Sequence, residues 1–275
     1  MVRTSRDGRP GEAQRLLNPA QPDPLLRYEY DRGSNYEQDT RLTTALAALV
    51  PEAELHHPDH RFFQVLHLVT EYSWVAIHQV LCDLAAALDD DRPVPAARLL
   101  DRATGLGVLP VQAIRLLSDS LPQLSLLAMR AAFPPNTTGL DSPGARNLRR
   151  ASRAVWTAFE GALARAGLDL DALSAAAEPR YTGDTGPLLL ADVMIGLHRF
   201  DARILEWKQV HLNMVWLLLG GQPQAETDPG DADKPSSLRG RSISDLERMA
   251  ASPMFPLLWQ HSTTVFHRMT REDTP

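Results

Sequence analysis

The sequence predicts an all-α fold, a bundle of long helices. Three observations carry this. Two long segments repeat their apolar residues at helical spacing. Strand patterns of period two are nearly absent. Turn-forming residues concentrate in short stretches between the periodic segments, as at Pro134-Pro135-Asn136-Thr137-Thr138-Gly139.

In chain order, residues 1–24 are polar and proline-bearing and read as a flexible N-terminal arm. Residues 25–275 read as one helical domain. Leu42, Ala45, Leu46 and Leu49 predict a short helix over 34–50. Pro51 and Pro58 bracket a loop holding His56 and His57, which with His60 read as surface or loop histidines. A long helix is predicted over 59–88, ended by Asp89-Asp90-Asp91-Arg92-Pro93. Residues 94–132 read as two helices broken near Gly105-Leu106-Gly107, and 134–147 as a loop. Leu148, Val155, Trp156, Phe159 and Leu163 predict a helix over 145–166. Residues 167–187 are mixed. A helix over 188–220 carries a possible break at Gly196. Residues 221–237 hold no apolar side chain larger than Ala, a flexible excursion. A last helix over 242–250 leads to Phe255-Pro256-Leu257-Leu258-Trp259.

The chain has 275 residues, 44% of them hydrophobic, which supports a sizeable core. A net charge of −6 argues against a general nucleic-acid or membrane-surface role. The lone Cys82 excludes an internal disulfide framework and fits a reducing, cytoplasmic setting. No apolar run reaches the roughly eighteen residues of a spanning helix, and the N-terminus lacks the apolar core of a secretory signal. CxxC, HExxH, G-x-S-x-G and phosphate-cradling glycine loops are all missing.

Two helices carry chemistry. In the first, Phe63, His67, Glu71, Trp74 and His78 lie within about 40° of one direction. Two histidines and a carboxylate thus share a stripe with two aromatics, either as a pocket or as a helix contact with internal hydrogen bonds. In the second, Trp207, His211, Met214 and Leu218 share a face. A histidine there either satisfies its nitrogens in the core or offers one to a metal. Cys82, four residues after His78, reads as a buried small hydrophobe. His198 lies about 140° from His211 around its helix, a poor co-ligand. Of Arg146, Arg149 and Arg150, the first suits an anion best.

Together these segments resemble a family. Glu206-Trp207-Lys208-x-x-His211-x-x-Met214-Val215, followed by Gly220, looks like the haem-ligating helix of the tryptophan 2,3-dioxygenases. That helix reads Glu-Trp-Arg-x-x-His, then Met-Val and a Gly. Phe63-x-x-x-His67-x-x-x-Glu71 is similar to the family's distal helix, and Phe255-Pro256-Leu257-Leu258-Trp259 to its C-terminal Phe-Pro-Glu-Leu-Trp. The order agrees from about residue 34 to 260. The chain departs where the family's Gly-Thr-Gly-Gly-Ser-Ser-Gly loop becomes Asp233-Lys234-Pro235-Ser236-Ser237-Leu238-Arg239-Gly240. It therefore resembles a divergent member, in a superfamily that includes haem-dependent oxygenases of antibiotic biosynthesis.

The resemblance implies a b-type haem whose iron is held by His211, with Trp207 and Val215 beside it. The c-type branch carries a cysteine where Val215 stands, so no thioether link is expected. It implies that His67 bonds the substrate ring N–H or O–H or the bound oxidant, O2 or H2O2. Phe63 and Trp74 would wall the ring, Arg130 or Arg146 would pair with the substrate carboxylate, and Ser236 and Ser237 would add polar contacts. The implied substrate is a free aromatic L-amino acid. The retained distal pattern favours a tryptophan-type indole, giving an oxindole or a ring-opened product, with tyrosine 3-hydroxylation as the alternative. A homodimer or homotetramer is implied as well. The rival from another class is a non-enzymatic helical scaffold in which the same histidines satisfy one another.

Overall fold

The structure is a computed structural model that describes residues 15–30, 35–135, 137, 139–220 and 243–272. Ser236 and Ser237 lie outside the described residues. Helix dominates, and the one sheet among the described residues is a pair of two-residue strands. No helix among them is long and apolar enough to cross a membrane. The chain divides into two compact units, residues 1–64 and 65–275. The expected arm boundary after residue 24 falls inside the first.

In the first unit, β1 (Arg15–Leu16) pairs antiparallel with β2 (Glu29–Tyr30), Arg15 opposite Tyr30. Of the segment read as an arm, residues 15 and 16 pair with residues 30 and 29. Asn18 braces its loop: its amide donates to the Leu26 carbonyl at 3.1 Å and its Oδ1 accepts from the Tyr28 N–H at 2.8 Å. The helix predicted over 34–50 is two pieces, α1 (Asn35–Thr40) and α2 (Leu42–Ala47). Arg41 between them takes φ 56°, a left-handed conformation that breaks the helix. His60 is buried, not a surface histidine. Its Nδ1 accepts from the His56 N–H at 3.2 Å, and the two rings stack 5.1 Å apart. Burial holds its pKa below the ordinary value.

Helix α3 (His60–Asp89) starts in this unit and runs through the second. There follow α4 (Pro93–Leu106), α5 (Val108–Ser120), α6 (Gln123–Ala132), α7 (Pro143–Ala166), α8 (Leu170–Ala176), α9 (Thr185–Leu219), α10 (Ile243–Ala250) and α11 (Pro256–Glu272). The two helices expected over 94–132 are three. The second break falls at Leu121, which is extended (ψ 115°) because Pro122 follows and excludes the helical conformation before it. Helix α7 begins at Pro143, inside the stretch read as a loop. Pro143 occupies the first helical position and Ser142 caps it, accepting from the Ala145 N–H at 3.1 Å. Turn formers here were a start signal.

Helix α9 is the centre of the unit, about 50 Å long, with α4, α5, α6, α8 and α10 packed against it. It is continuous through Gly196. A Cβ there would lie 2.9 Å from Leu100 Cδ1, so the glycine lets α4 close on α9 instead of breaking it. The core gathers Trp74, Leu81, Leu84, Leu100, Phe159, Leu197, Phe200 and Phe255.

Candidate functional site

The second unit brings α3 and α9 together through their aromatic residues. Trp74 is fully buried, and its ring meets Trp207 edge-on at 5.2 Å and 90°. Trp207 lies one turn before His211, and their rings stack nearly parallel, 5.4 Å apart at 8°. His211 is thus clamped by its own helix. Among the described residues neither of its ring nitrogens has a hydrogen-bond partner.

Surrounding protein desolvates the imidazole, and His67 adds repulsion. Together they push the His211 pKa from its ordinary 6.5 down to about 4. The ring is neutral at physiological pH, with a lone pair to offer. His67, whose charge acts on His211, is exposed on α3.

The unfolded chain takes up a proton near pH 6.5, whereas the folded site refuses it until about pH 4. Stability is therefore complete above pH 6.5 and falls as acid passes through that window. Because the residue is half-buried, the loss should be about 2 kcal/mol, below the full conversion of the shift. Urea midpoints between pH 7 and pH 4 should show this slope in the wild type and a shallower one in His211→Gln, where His60 and His198, both lowered by burial, still contribute.

Glu71 follows the structural alternative. Its Oε2 accepts from the Gly144 N–H at 3.1 Å, so it closes the first turn of α7. A Cβ on Gly144 would lie 2.6 Å from Trp74 Cβ and Cδ1 and 2.7 Å from Glu71 Oε2. Only a glycine permits this approach of α7 to α3.

The remaining expected residues scatter. Val215 is buried one turn after His211. Arg146 is exposed on the first turn of α7, the turn that Glu71 holds. Arg130 is half-buried on the last turn of α6, which packs on α9. Phe63 belongs to the first unit, where its N–H donates to the Asp59 carbonyl at 3.0 Å. Cys82 is exposed, contrary to the buried hydrophobe expected; it faces outward with its Sγ 3.8 Å from His78 Nδ1. His198 turns to α11, its ring against Trp259 at 5.6 Å.

Sequence reasoning missed Asp201. It is fully buried on α9 and accepts three hydrogen bonds: from the backbone N–H groups of Met254 and Phe255, both at 2.8 Å, and from Trp259 Nε1 at 3.0 Å. Two turns on, the Lys208 ammonium donates to the Ser252 carbonyl. Desolvation lowers the Lys208 pKa, with Asp201 opposing. The Phe-Pro-Leu-Leu-Trp stretch is thus anchored to the helix that carries His211. The signal was available: Asp201 lies between Leu197, Phe200 and Ile204 on an apolar face, where an acid needs donors.

Two observations bear on whether these residues fit a haem. The Trp207 indole N–H is buried with no partner, an orphaned donor beside His211. No group of three or more His, Cys, Asp or Glu placed to hold a metal occurs among the described residues. A porphyrin brings four nitrogens of its own and asks the protein for one axial ligand, so a single neutral, unbonded imidazole matches the need. Compared with known proteins, the chain matches no family model and no curated protein.

Proposed function

We propose that this chain is a haem-dependent oxygenase acting on a free aromatic L-amino acid, a tryptophan-type indole first. The observation that carries the reading is His211: neutral at physiological pH, unbonded at both nitrogens among the described residues, stacked under Trp207 and acted on by the His67 charge. The haem, when bound, supplies the activation of O2 or peroxide.

The chain's own residues do the rest. His211 would hold the haem iron through its lone pair, and Trp207 stacks on its ring. Trp74, locked in the core, holds Trp207 in turn. His67, exposed on α3, would bond the ring N–H of an indole or the O–H of a phenol. Arg146 is the better partner for the substrate carboxylate. Glu71 ties its turn to α3 one turn after His67, and an exposed guanidinium there is accessible to a carboxylate.

Titration of the haem-reconstituted protein with amino acids tests the substrate. L-Tryptophan should perturb the Soret band, and Arg146→Ala should weaken its binding by about 10-fold or more. A response to L-tyrosine alone would overturn the indole assignment in favour of tyrosine 3-hydroxylation. No response to any aromatic amino acid would overturn the oxygenase reading.

A further inference from the structure

A second cluster lies where α8 meets α11, and it has no part in the His211 site. We propose that Ser174, His261 and Asp171 form a nucleophilic triad in which Ser174 accepts acyl groups from small carboxylic esters. Ser174 Oγ stands 2.8 Å from His261 Nε2. The other ring nitrogen, Nδ1, stands 3.9 Å from Asp171 Oδ1. Asp171 and Ser174 are one turn apart on α8, so one imidazole from α11 reaches both with its opposite nitrogens.

The Asp171 carboxylate, beyond hydrogen-bond distance of Nδ1, acts on the ring through its charge. A carboxylate beside Nδ1 favours a proton there, which leaves Nε2 as the acceptor of the Ser174 O–H. Arg268 donates to Asp171 Oδ1 at 2.6 Å, and this bond holds the Asp171 pKa below the usual carboxylate value. Base and nucleophile are within hydrogen-bond reach, and the third group stands 3.9 Å from the ring, near enough to act by its charge but not by a hydrogen bond.

Docking of α11 does not depend on this bond. Asp201 already fastens the start of the helix, and Leu258 is fully buried beneath it. Ser174 and His261 are half-buried, at the edge of the core.

The step balances with water as the co-reactant. The Ser174 proton passes to His261 Nε2 as Oγ bonds to the ester carbonyl carbon. The carbon–oxygen bond to the leaving group breaks, and the departing oxygen takes the proton. Water then hydrolyses the acyl-serine, releasing the carboxylic acid and restoring the hydroxyl.

The test uses the full chain without added haem, so its outcome is independent of the oxygenase reading. The protein is incubated with p-nitrophenyl acetate, nitrophenol release is followed, and the acetylated residue is located by peptide mass spectrometry. Acetylation at Ser174 is expected, abolished by Ser174→Ala and slowed about 100-fold or more by His261→Gln. Circular dichroism checks that each variant is folded. Asp171→Asn, on the exposed face of α8, should slow acetylation less than His261→Gln does. Acetyl groups elsewhere only, a rate at Ser174 no higher than at the exposed Ser262, or an unchanged rate in Asp171→Asn would overturn the triad.

Discussion

Asp201→Ala should destabilise the protein by about 4 kcal/mol in urea unfolding. The carboxylate is fully buried and satisfies the Met254 and Phe255 N–H groups and the Trp259 indole N–H. Removing it leaves three donors facing a dry cavity. Each unsatisfied buried donor costs roughly 1–3 kcal/mol, and partial relaxation of the 251–255 segment returns some of the total. Asp201→Asn should cost less, about 2 kcal/mol, because its one carbonyl oxygen still accepts while its amide opposes a donor. The same change should release α11 from α9. Increased protease sensitivity around residue 255 would report that release. A loss under about 1 kcal/mol for Asp201→Ala would mean that the three bonds do not hold the C-terminal helix.

Gly144→Val should cost about 3 kcal/mol or more. The first added carbon would stand 2.6 Å from two atoms of the buried Trp74 and 2.7 Å from the Glu71 carboxylate. Trp74 has nowhere to go, since it is packed edge-on against Trp207. The start of α7 must move away, so the Glu71 bond to the Gly144 N–H is lost along with the packing. Overpacking of a tight contact costs typically 1–3 kcal/mol, and a hydrogen bond to a charged group about 1.5–3 kcal/mol. A diagnostic pair distinguishes the two parts. Glu71→Gln should cost the smaller share and leave near-ultraviolet circular dichroism intact, whereas Gly144→Val should change the tryptophan signal as well. Equal effects from both would place the strain elsewhere than at Trp74.

The helical class and the long helices were legible because apolar spacing carries them. Leu81, Leu84, Phe159 and Phe200 all lie on faces that the period selects. What escaped was local chemistry with two readings. Pro143-Gly144 reads as a turn in isolation, yet Pro143 opens α7 and Gly144 serves the contact with Trp74. Gly196 reads as a helix break, yet it gives Leu100 room. The Arg41 break depends on a left-handed backbone that no residue type there announces.

At the candidate site, the shared stripe of His67, Glu71 and Trp74 was visible in the sequence. The division of labour was not. Glu71 caps a helix that lies 73 residues away along the chain, and Trp74 is a core residue that braces Trp207. Ser174 and His261 are 87 residues apart, and no local pattern joins them. Partners that meet only through tertiary packing leave no periodic trace.

Haem titration of the purified full chain and of His211→Ala tests the oxygenase reading most directly. The wild type should take up one equivalent with a Soret band of a histidine-ligated haem, and His211→Ala should lose that band, with added imidazole restoring it. A wild type that takes up no haem, or a His211→Ala protein with an unaltered Soret spectrum, would contradict ligation by His211.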